Sequence, residues 1–394
     1  MRKNIGSFSL MKRMNTALLL NLIREKGKIS RTDLAKESGL TAATVTNLTA
    51  ELIESGLIVE CSTGVSTGGR KPVFLKINSD QFHIVTVSIC PDTVEFAVMD
   101  FCAKILSYKH MPINRDADPD MCAEFIGKCI DGYKYKDKVI GIGVGVHGIV
   151  NSDEGISVYA PNLDWKNVNI KKLINKYTDI PVFVDNDVRC MALAEMWFGR
   201  KRNSDDFVYV YVGRGVGSAV VINNSLLRGS FDAAGEIGHT VIDINGPKCE
   251  CGKKGCLQAF TNKKAMMNYL KDNLDKTEIL SENSSCDDIV DAYLNFGDEA
   301  ATVVIDKETE YLSYGISNII NVLDPGFIIL SSDIKNFDVA VGSKLNSGIT
   351  PQTYGNFSSC QIGYSSMGRR GILIGAASMV MSTVYDNPMI ISKK

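Results

Sequence analysis

Three segments near the start of the chain carry apolar residues at helical spacing. The apolar positions of the first and third segments are Leu18, Leu19, Leu22 and Ile23, and Val45, Leu48, Leu52 and Ile53. Gly27 follows the first segment. Ser30 is a good N-cap for the second, Gly39 ends it, and Thr41 caps the third. Two short helices joined by a turn that contains a glycine predict a helix-turn-helix, although a small helical bundle would show the same pattern.

Residues 57–60 and 73–77 predict a β-hairpin with a long tip after Gly56. The third helix presents small and polar residues outward, among which Asn47 can pair with an adenine. In the hairpin tip, glycines precede Arg70, whose guanidinium suits a narrow minor groove. The basic tip favours a DNA-binding domain over a bare helical bundle. The predicted DNA contacts are Arg31, Thr41, Ala42, Ala43, Thr44, Thr46, Asn47, Gly69, Arg70 and Lys71.

Beyond residue 80, β-rich segments alternate with helical ones, which predicts an α/β protein. Strands are expected at 84–89, 93–100, 139–146, 182–184, 208–212, 218–222 and 327–330. Helices are expected at 122–133, 170–177, 188–198, 302–323 and 370–385.

Charge is divided unevenly along the 394 residues. Residues 1–80 contain 12 Lys and Arg against 7 Asp and Glu, whereas the remainder contains 31 against 38. A basic N-terminal piece on an acidic body favours one face for nucleic acid and a body with another task. The apolar stretch 17–23 is too short for a signal peptide or a membrane span, so we expect a cytoplasmic protein.

One segment places an imidazole and three thiols within 18 positions, separated by glycine-rich turns. A Cys₃His set closes a tetrahedral coordination sphere, which suits structural zinc. The alternative is a chance cluster, since the chain has 11 cysteines. The predicted metal ligands are His239, Cys249, Cys251 and Cys256.

The same segment reads Gly-Glu-Ile-Gly-His over 235–239, the third helix reads T-x-x-T-V-T, and the hairpin tip reads G-G-R-x-P. In these motifs the chain resembles the ROK family of repressors, open reading frames and sugar kinases. The resemblance covers the whole chain. It implies a winged helix-turn-helix (1–80) followed by the two lobes of an actin- or hexokinase-like, ribonuclease-H-like fold (81–196 and 197–394), with a C-terminal helix that returns to the first lobe.

The resemblance also implies a monosaccharide pocket, because short polar side chains at the matching positions suit a fan of hydroxyls. Asp187 matches the base of the kinases, and Gln258 stands where the kinases usually have Glu. His147 stands where the family often has proline, and we expect it to be a solvated loop residue. The predicted sugar-binding residues are Asn162, Asn186, Asp187, Glu236, His239 and Gln258.

The three ATP-binding loops that the resemblance predicts are altered. At the first loop the chain has Ser88 in place of a metal-side Asp, then Cys90-Pro91-Asp92 in place of Gly-Gly-Thr. Proline has no N–H to offer a phosphate, and an aspartate repels one. The second loop is half retained over 213–219, and the third has become 331–333, Ser-Ser-Asp. We therefore expect no ATP binding and no kinase activity.

Together these features predict a dimeric DNA-binding regulator, most simply a repressor, that a monosaccharide releases from its operator. Two alternatives remain open. One is a sugar kinase with a fused DNA-binding domain. The other is a regulator that is switched by a protein partner and keeps a vestigial pocket.

Overall fold

Three helices and a small sheet form the start of the computed structural model, which describes residues 8–63, 73–199, 206–354 and 360–393. The helices are α1 (Phe8–Lys26), α2 (Arg31–Ser38) and α3 (Ala42–Glu54). The strands are β1 (Ile29–Ser30), β2 (Ile58–Thr63) and β3 (Val73–Ile77), in the sheet order β1-β3-β2. This is the predicted helix-turn-helix with its hairpin.

Local capping fixes the turn between α2 and α3. Ser30 Oγ accepts a hydrogen bond from the backbone N–H of Asp33, and Thr41 Oγ1 accepts one from that of Thr44. Gly39 adopts a φ of 69°, a left-handed conformation that costs glycine little. The caps that the sequence predicted are confirmed.

The buried face of α1 differs from the predicted stripe. Thr16, Leu19, Leu20 and Ile23 are buried, whereas Leu18 is 41% exposed. The helix starts at Phe8, well before the apolar cluster. The face that packs against the rest of the domain carries residues 16, 19, 20 and 23. The four predicted apolar positions did not by themselves indicate which face of the helix is buried.

The first lobe contains a five-stranded sheet in the order β11-β7-β4-β5-β6 and a three-stranded sheet in the order β10-β9-β8. Its strands are β4 (His83–Cys90), β5 (Thr93–Asp100), β6 (Ile105–Pro112), β7 (Val139–Val146), β8 (Ile149–Asn151), β9 (Ile156–Ala160), β10 (Trp165–Asn169) and β11 (Val182–Asn186). Its helices are α4 (Pro119–Asp131), α5 (Ile170–Ile174) and α6 (Asp187–Phe198).

The second lobe repeats a five-stranded sheet, in the order β14-β13-β12-β15-β16. Its strands are β12 (Phe207–Val212), β13 (Val216–Ile222), β14 (Ser225–Leu226), β15 (Phe327–Ser332) and β16 (Gln361–Tyr364). Helices α7 (Lys263–Lys271), α8 (Cys286–Asp291), α9 (Glu299–Leu323) and α10 (Phe337–Ile349) belong to this half, and α11 (Arg370–Asp386) follows it.

Every strand and helix that the sequence predicted beyond residue 80 is present, with bounds that differ by a few residues. The sequence missed β6, β8–β10, β14, β16 and helices α7, α8 and α10. Strand β6 is the edge of its sheet and mostly exposed, so it lacks a clear apolar alternation. Helix α10 contains Gly342 and Gly348, which are weak helix formers.

Helix α11 returns to the first lobe, as the family resemblance implied. A Cβ atom added to Gly143 of β7 would lie 2.0 Å from the carbonyl oxygen of Ala376, and one added to Gly375 would lie 1.7 Å from that of Cys190. Glycine at both positions therefore allows α11 to lie directly on β7 and α6. Among the residues described, no helix is long and apolar enough to cross a membrane.

A buried carboxyl group lies in the core of the second lobe. Glu308 of α9 is 0% exposed, and neither of its side-chain oxygens has a hydrogen-bond partner in the described part of the chain. Burial raises the pKa of this carboxyl well above its ordinary value. The folded protein consequently binds a proton here that the unfolded chain releases at neutral pH.

We predict that Glu308→Gln stabilises the protein at pH 8 and has little effect near pH 4. A raised carboxyl pKa contributes stability below the unfolded value of about 4.3, and this contribution is lost as the pH rises toward the folded value. The gain at pH 8 arises because a buried Glu must take up a proton from solution on folding, whereas Gln is neutral in both states. Urea unfolding at both pH values measures it. Equal gains at the two pH values would contradict the prediction.

Candidate functional site

The outward face of α3 is small, polar and exposed. Thr41, Ala42, Ala43, Thr46 and Asn47 are exposed, and Thr44 is half-buried. The buried face of the helix carries Val45, Leu48 and Leu52. The structure therefore presents the predicted contact residues together on one surface that a DNA groove can approach.

One predicted DNA contact, Arg31, lies apart from this face. Arg31 is the first residue of α2. Its guanidinium is held in place by the hydrogen bonds that it donates to Thr49 Oγ1 (3.1 Å) and to Glu60 (2.8 Å). Its side chain is 29% exposed. The predicted wing contacts at Gly69, Arg70 and Lys71 lie outside the described residues.

A cleft of ≈ 700 Å³ lies between the lobes and is lined by all six predicted sugar-binding residues. Asn162 lies in the turn between β9 and β10, whereas Asn186 and Asp187 lie where β11 meets α6. Glu236 and His239 approach from the second lobe, in a loop that contains a short 3₁₀ turn. Residues separated by about one hundred positions thus face one cavity.

The junction of β11 with α6 is held by hydrogen bonds. Asn186 caps α6 by accepting the N–H of Arg189, and its amide nitrogen donates to the Gly148 carbonyl oxygen (2.8 Å). Asp187 Oδ1 accepts from the N–H of Val188 and from Asn186 Nδ2, both at 2.9 Å. Only Oδ2 of Asp187 is turned toward the cleft by these bonds.

His147 is part of this site, so our expectation of a solvated loop residue was wrong. Its Nδ1 lies 3.3 Å from Asp187 Oδ2, and its Nε2 lies 3.1 Å from Asn162 Nδ2. Burial alone would lower the pKa of His147, but the hydrogen bond and the charge of Asp187 outweigh it and raise the pKa. The sequence showed only a histidine beside a glycine turn, and its partners lie 15 and 40 positions away.

The second-lobe residues differ in how free they are to bind a ligand. Glu236 lines the cleft, and partial desolvation between the cleft walls together with the charge of Asp187 raises its pKa. Gln258 is 8% exposed, and its side-chain oxygen accepts the N–H of Val216 at 3.1 Å. Its amide nitrogen is the part of this side chain that remains to meet a ligand.

A buried ionic cluster that sequence analysis missed supports the pocket. Arg189 Nε donates to Asp185 Oδ1 at 2.6 Å, and Arg228 lies 2.8 Å from Asp185 Oδ2. Arg189 also donates to the carbonyl oxygens of Val150 and Asp232. The cluster joins the first lobe to the loop that precedes Glu236, so it fixes Glu236 relative to Asp187. Its only sequence signal was an acidic and a basic residue four positions apart at the start of a helix.

The four predicted metal ligands come together. One ligand atom from each of His239, Cys249, Cys251 and Cys256 lies within 4.8 Å of all the others. His239 Nδ1 is 3.7 Å from Cys249 Sγ, and Cys251 Sγ is 3.7 Å from Cys256 Sγ. Two thiolates that bind one tetrahedral ion at about 2.3 Å would lie about 3.8 Å apart. The residues thus fit a Cys/His metal site, and His239 and Cys251 also line the cleft.

Residues of the three predicted nucleotide loops form ion pairs. Asp92 pairs with Arg369 (3.1 Å) and, across the cleft, with Arg214 of the second loop (3.4 Å). Burial would raise the pKa of Asp92, but the hydrogen bond and charge of Arg369 outweigh it and lower the pKa. Asp333 of the third loop pairs with Lys263 at 2.9 Å. Internal ion pairs therefore occupy this end of the cleft.

We predict that Arg189→Met destabilises the protein by about 3–5 kcal/mol, because it removes a buried positive charge from the fully buried Asp185 carboxylate, which then keeps only the N–H of Asn186 and the half-exposed Arg228. The shift of the urea midpoint measures the loss. Lys128→Met is the control, since Lys128 forms an exposed ion pair with Glu124 and its replacement should leave the midpoint unchanged. Equal midpoints for the two variants would show that the cluster is not a determinant of stability.

Comparisons with known proteins also divide the chain into an N-terminal DNA-binding domain and a larger body. The family model described as "ROK family" matches residues 84–383, and the model described as "Winged helix-turn-helix DNA-binding" matches residues 17–59. The chain is 31% identical over 398 residues to the xylose repressor of Caldicellulosiruptor bescii, covering 98% of this chain and 99% of the relative. It is 30% identical over 356 residues to the Escherichia coli transcriptional dual regulator NagC, covering 88% and 87%.

A solved structure shows the same architecture. It is described as a ROK family transcriptional regulator, a homologue of the E. coli MLC protein, and superimposes with a TM-score of 0.85 at 28% identity over 98% of this chain and 100% of that one. Both the winged helix-turn-helix and the actin-like sugar-kinase fold are therefore shown. The family model alone covers well over half of the sequence, and the chain belongs to the ROK family.

Proposed function

We propose that this protein is a sugar-responsive transcriptional repressor that a monosaccharide releases from its operator. The observation that carries the proposal is a pair of sites in one chain: an exposed recognition face on α3 and a cleft lined by polar side chains suited to hydroxyls. The names of the relatives, xylose repressor and N-acetylglucosamine repressor, support the same function.

On the DNA side, we assign direct readout to the exposed residues of α3, with Asn47 able to pair with adenine. Arg70 and its neighbours Gly69 and Lys71 are proposed to enter the minor groove from the wing. Arg31, which is ion-paired with Glu60, is assigned a phosphate contact beside α3. Two half-sites about one helical turn apart, ~34 Å, require two copies, so we propose a homodimer.

On the effector side, we assign sugar hydroxyls to Asn162, Asn186, Asp187, Glu236 and the free nitrogen of His239, with Gln258 at the edge of the pocket. Because His147 already bonds to Asp187 and Asn162, an incoming hydroxyl either displaces it or bonds to it. Xylose and N-acetylglucosamine, the sugars in the relatives' names, are the first effectors to test.

We propose that the cleft does not bind ATP. Asp92, at the position of the family's phosphate-contacting threonine, is held by two arginines, and a nucleotide phosphate would have to break those ion pairs beside a carboxylate. Asp187, at the position of the kinase base, is held by His147. The fused-kinase alternative predicts sugar-dependent ADP release, which a coupled assay detects.

We propose zinc as the ion of the Cys/His site, because four protein ligands leave no position for water and therefore suit a structural role. Burial and the charge of Lys253 lower the pKa of His239, which favours the neutral imidazole that binds metals. The ion would hold the loop that carries Glu236 in place against the sugar.

We predict that Asp187→Ala binds the operator normally without sugar but needs at least about tenfold more sugar for release. A charged hydrogen bond lost from the sugar-bound state is worth about 1.5–3 kcal/mol, and 1.4 kcal/mol is one decade. Operator affinity measured across titrations of D-xylose and of N-acetylglucosamine gives the midpoint. Asp179→Ala, which removes an exposed carboxylate outside the cleft, is the matched control.

If Asp187→Ala and Asp179→Ala are released at the wild-type sugar concentration, the cleft is not the sensor. If no sugar releases the wild type, but a second protein does, the partner-switched alternative is correct.

We predict that Cys251→Ser loses most of the bound zinc, which elemental analysis should find at one equivalent in the wild type. Its response to sugar should weaken, whereas its winged helix remains folded, because the metal loop lies in the second lobe. Cys102→Ser, at an exposed thiol of the first lobe, should keep both properties. Full zinc content in Cys251→Ser would show that the assigned ligand set is wrong.

A further inference from the structure

The DNA-binding domain meets the body at a cluster of aromatic rings around one arginine. Arg24, in the last turn of α1, places its guanidinium carbon 4.1 Å from the centroid of Trp197 and 5.4 Å from that of Tyr385. The two rings meet edge to face at 5.2 Å, and Tyr385 stacks on Phe101 at 5.5 Å. We call Arg24, Trp197 and Tyr385 the joint.

Both rings of the joint lie at the far ends of helices that begin in the cleft. Trp197 is near the end of α6, whose first residue is the pocket residue Asp187. Tyr385 is near the end of α11, and Arg369, which pairs with Asp92 in the cleft, immediately precedes that helix. Helix α6 has 12 residues and spans about 18 Å, and both α6 and α11 lead from the cleft to the joint.

The two helices cannot slide independently. The carbonyl oxygen of Cys190 would lie 1.7 Å from a Cβ atom added to Gly375, and Met191 Cγ would lie 3.4 Å from one added to Gly371. Buried residues of both helices, including Cys190, Met191, Ile372 and Ala376, belong to one core cluster. Backbone contacts this close allow movement as a unit rather than by rearrangement of side chains.

On the other side of the joint, α1 belongs to the same packed body as the recognition helix. Leu19, Leu20 and Ile23 share a core cluster with Val45 and Leu48 of α3, and this cluster continues to Val380 and Val384 of α11 beside the joint. Lys12 of α1 also pairs with Glu51 of α3 at 2.7 Å. A displacement of Arg24 therefore displaces α3, and with it the face assigned to DNA.

We propose that α6 and α11 move as one body and transmit the state of the cleft to the DNA-binding domain through the joint. Arg24 and Trp197 are then positioning residues, which touch neither DNA nor sugar. A guanidinium over an indole face is directional and holds the end of α1 to the end of α6. The inference rests on the proposed function, because it assigns the route between its two sites.

The first experiment measures the ratio of operator affinities without and with saturating D-xylose or N-acetylglucosamine. Ligand coupling is typically about 5–150-fold. In Arg24→Ala and in Trp197→Leu this ratio should fall close to one, whereas the thermal shift caused by the sugar should stay as in the wild type. Arg24→Lys keeps a cation over the rings and should restore part of the ratio. Arg13→Ala, an exposed arginine on the same helix, is the control.

The double variant Arg24→Ala/Trp197→Leu should lose no more coupling than either single variant, because both remove one contact. A wild-type ratio in Arg24→Ala, or a double variant whose ratio differs from that of the single variants, would overturn the proposal. A variant that has lost the sugar-induced thermal shift reports damage to the pocket. In that case the ratio of operator affinities without and with sugar is measured in Arg24→Lys and Trp197→Phe, which alter the joint least. A reduced ratio in these variants supports the proposal, and a wild-type ratio contradicts it.

The second experiment needs no sugar, since coupling between sites is reciprocal. DNA selected from a random pool by the protein is added, and hydrogen exchange is followed over residues 187–198 and 370–386. Exchange there should change in the wild type and in Arg13→Ala but not in Arg24→Ala. If DNA leaves these segments unchanged in the wild type, the route is wrong. If instead no sugar affects the wild type, the effector assignment fails, whereas this measurement still tests the joint.

Discussion

Helices α6 and α11 approach so closely at Gly375 that only hydrogen fits where a side chain would be. The contact is between a helix of the first lobe and the helix that follows the second lobe in sequence. Because α11 also lies on Gly143 of β7, the end of the chain is fixed on the sheet that carries the pocket. Because of this contact, the second lobe is connected to the first lobe at both of its ends.

The pocket is rigid for a related reason. Its polar side chains are fixed by hydrogen bonds before any ligand arrives: Asn186 caps α6 and holds Gly148, and the Asp185–Arg189 pair fixes the loop that precedes Glu236. Fixed polar groups lose little entropy when they bind a ligand, which favours selective recognition. Movement in response to a ligand must then come from whole helices and lobes rather than from single side chains.

The sequence predicted what depends on local rules. Ser30, Gly39 and Thr41 act over three or four residues, and the metal set lies within 18 positions, so capping preference and ligand spacing were sufficient. It could not predict contacts set by tertiary packing. His147 meets Asp187 only because β7 and β11 are neighbours, and Asp92 meets Arg369 across 277 positions. The sequence did not predict the edge strand β6, because its residues are mostly exposed and so do not alternate between apolar and polar.

Ion pairs hold together the end of the cleft where the family resemblance predicts the nucleotide loops. An aspartate at a phosphate position would be costly if it stood alone, but Asp92 is neutralised by Arg214 of the second lobe and Arg369 at the start of α11. One carboxylate thus connects both lobes and one of the two helices that lead to the joint. These ion pairs hold the two lobes relative to each other through side chains of the protein alone. On the proposed function, a sugar bound between Asp187 and Glu236 would act directly on the relative position of the lobes, and the proposed route to α1 requires no nucleotide.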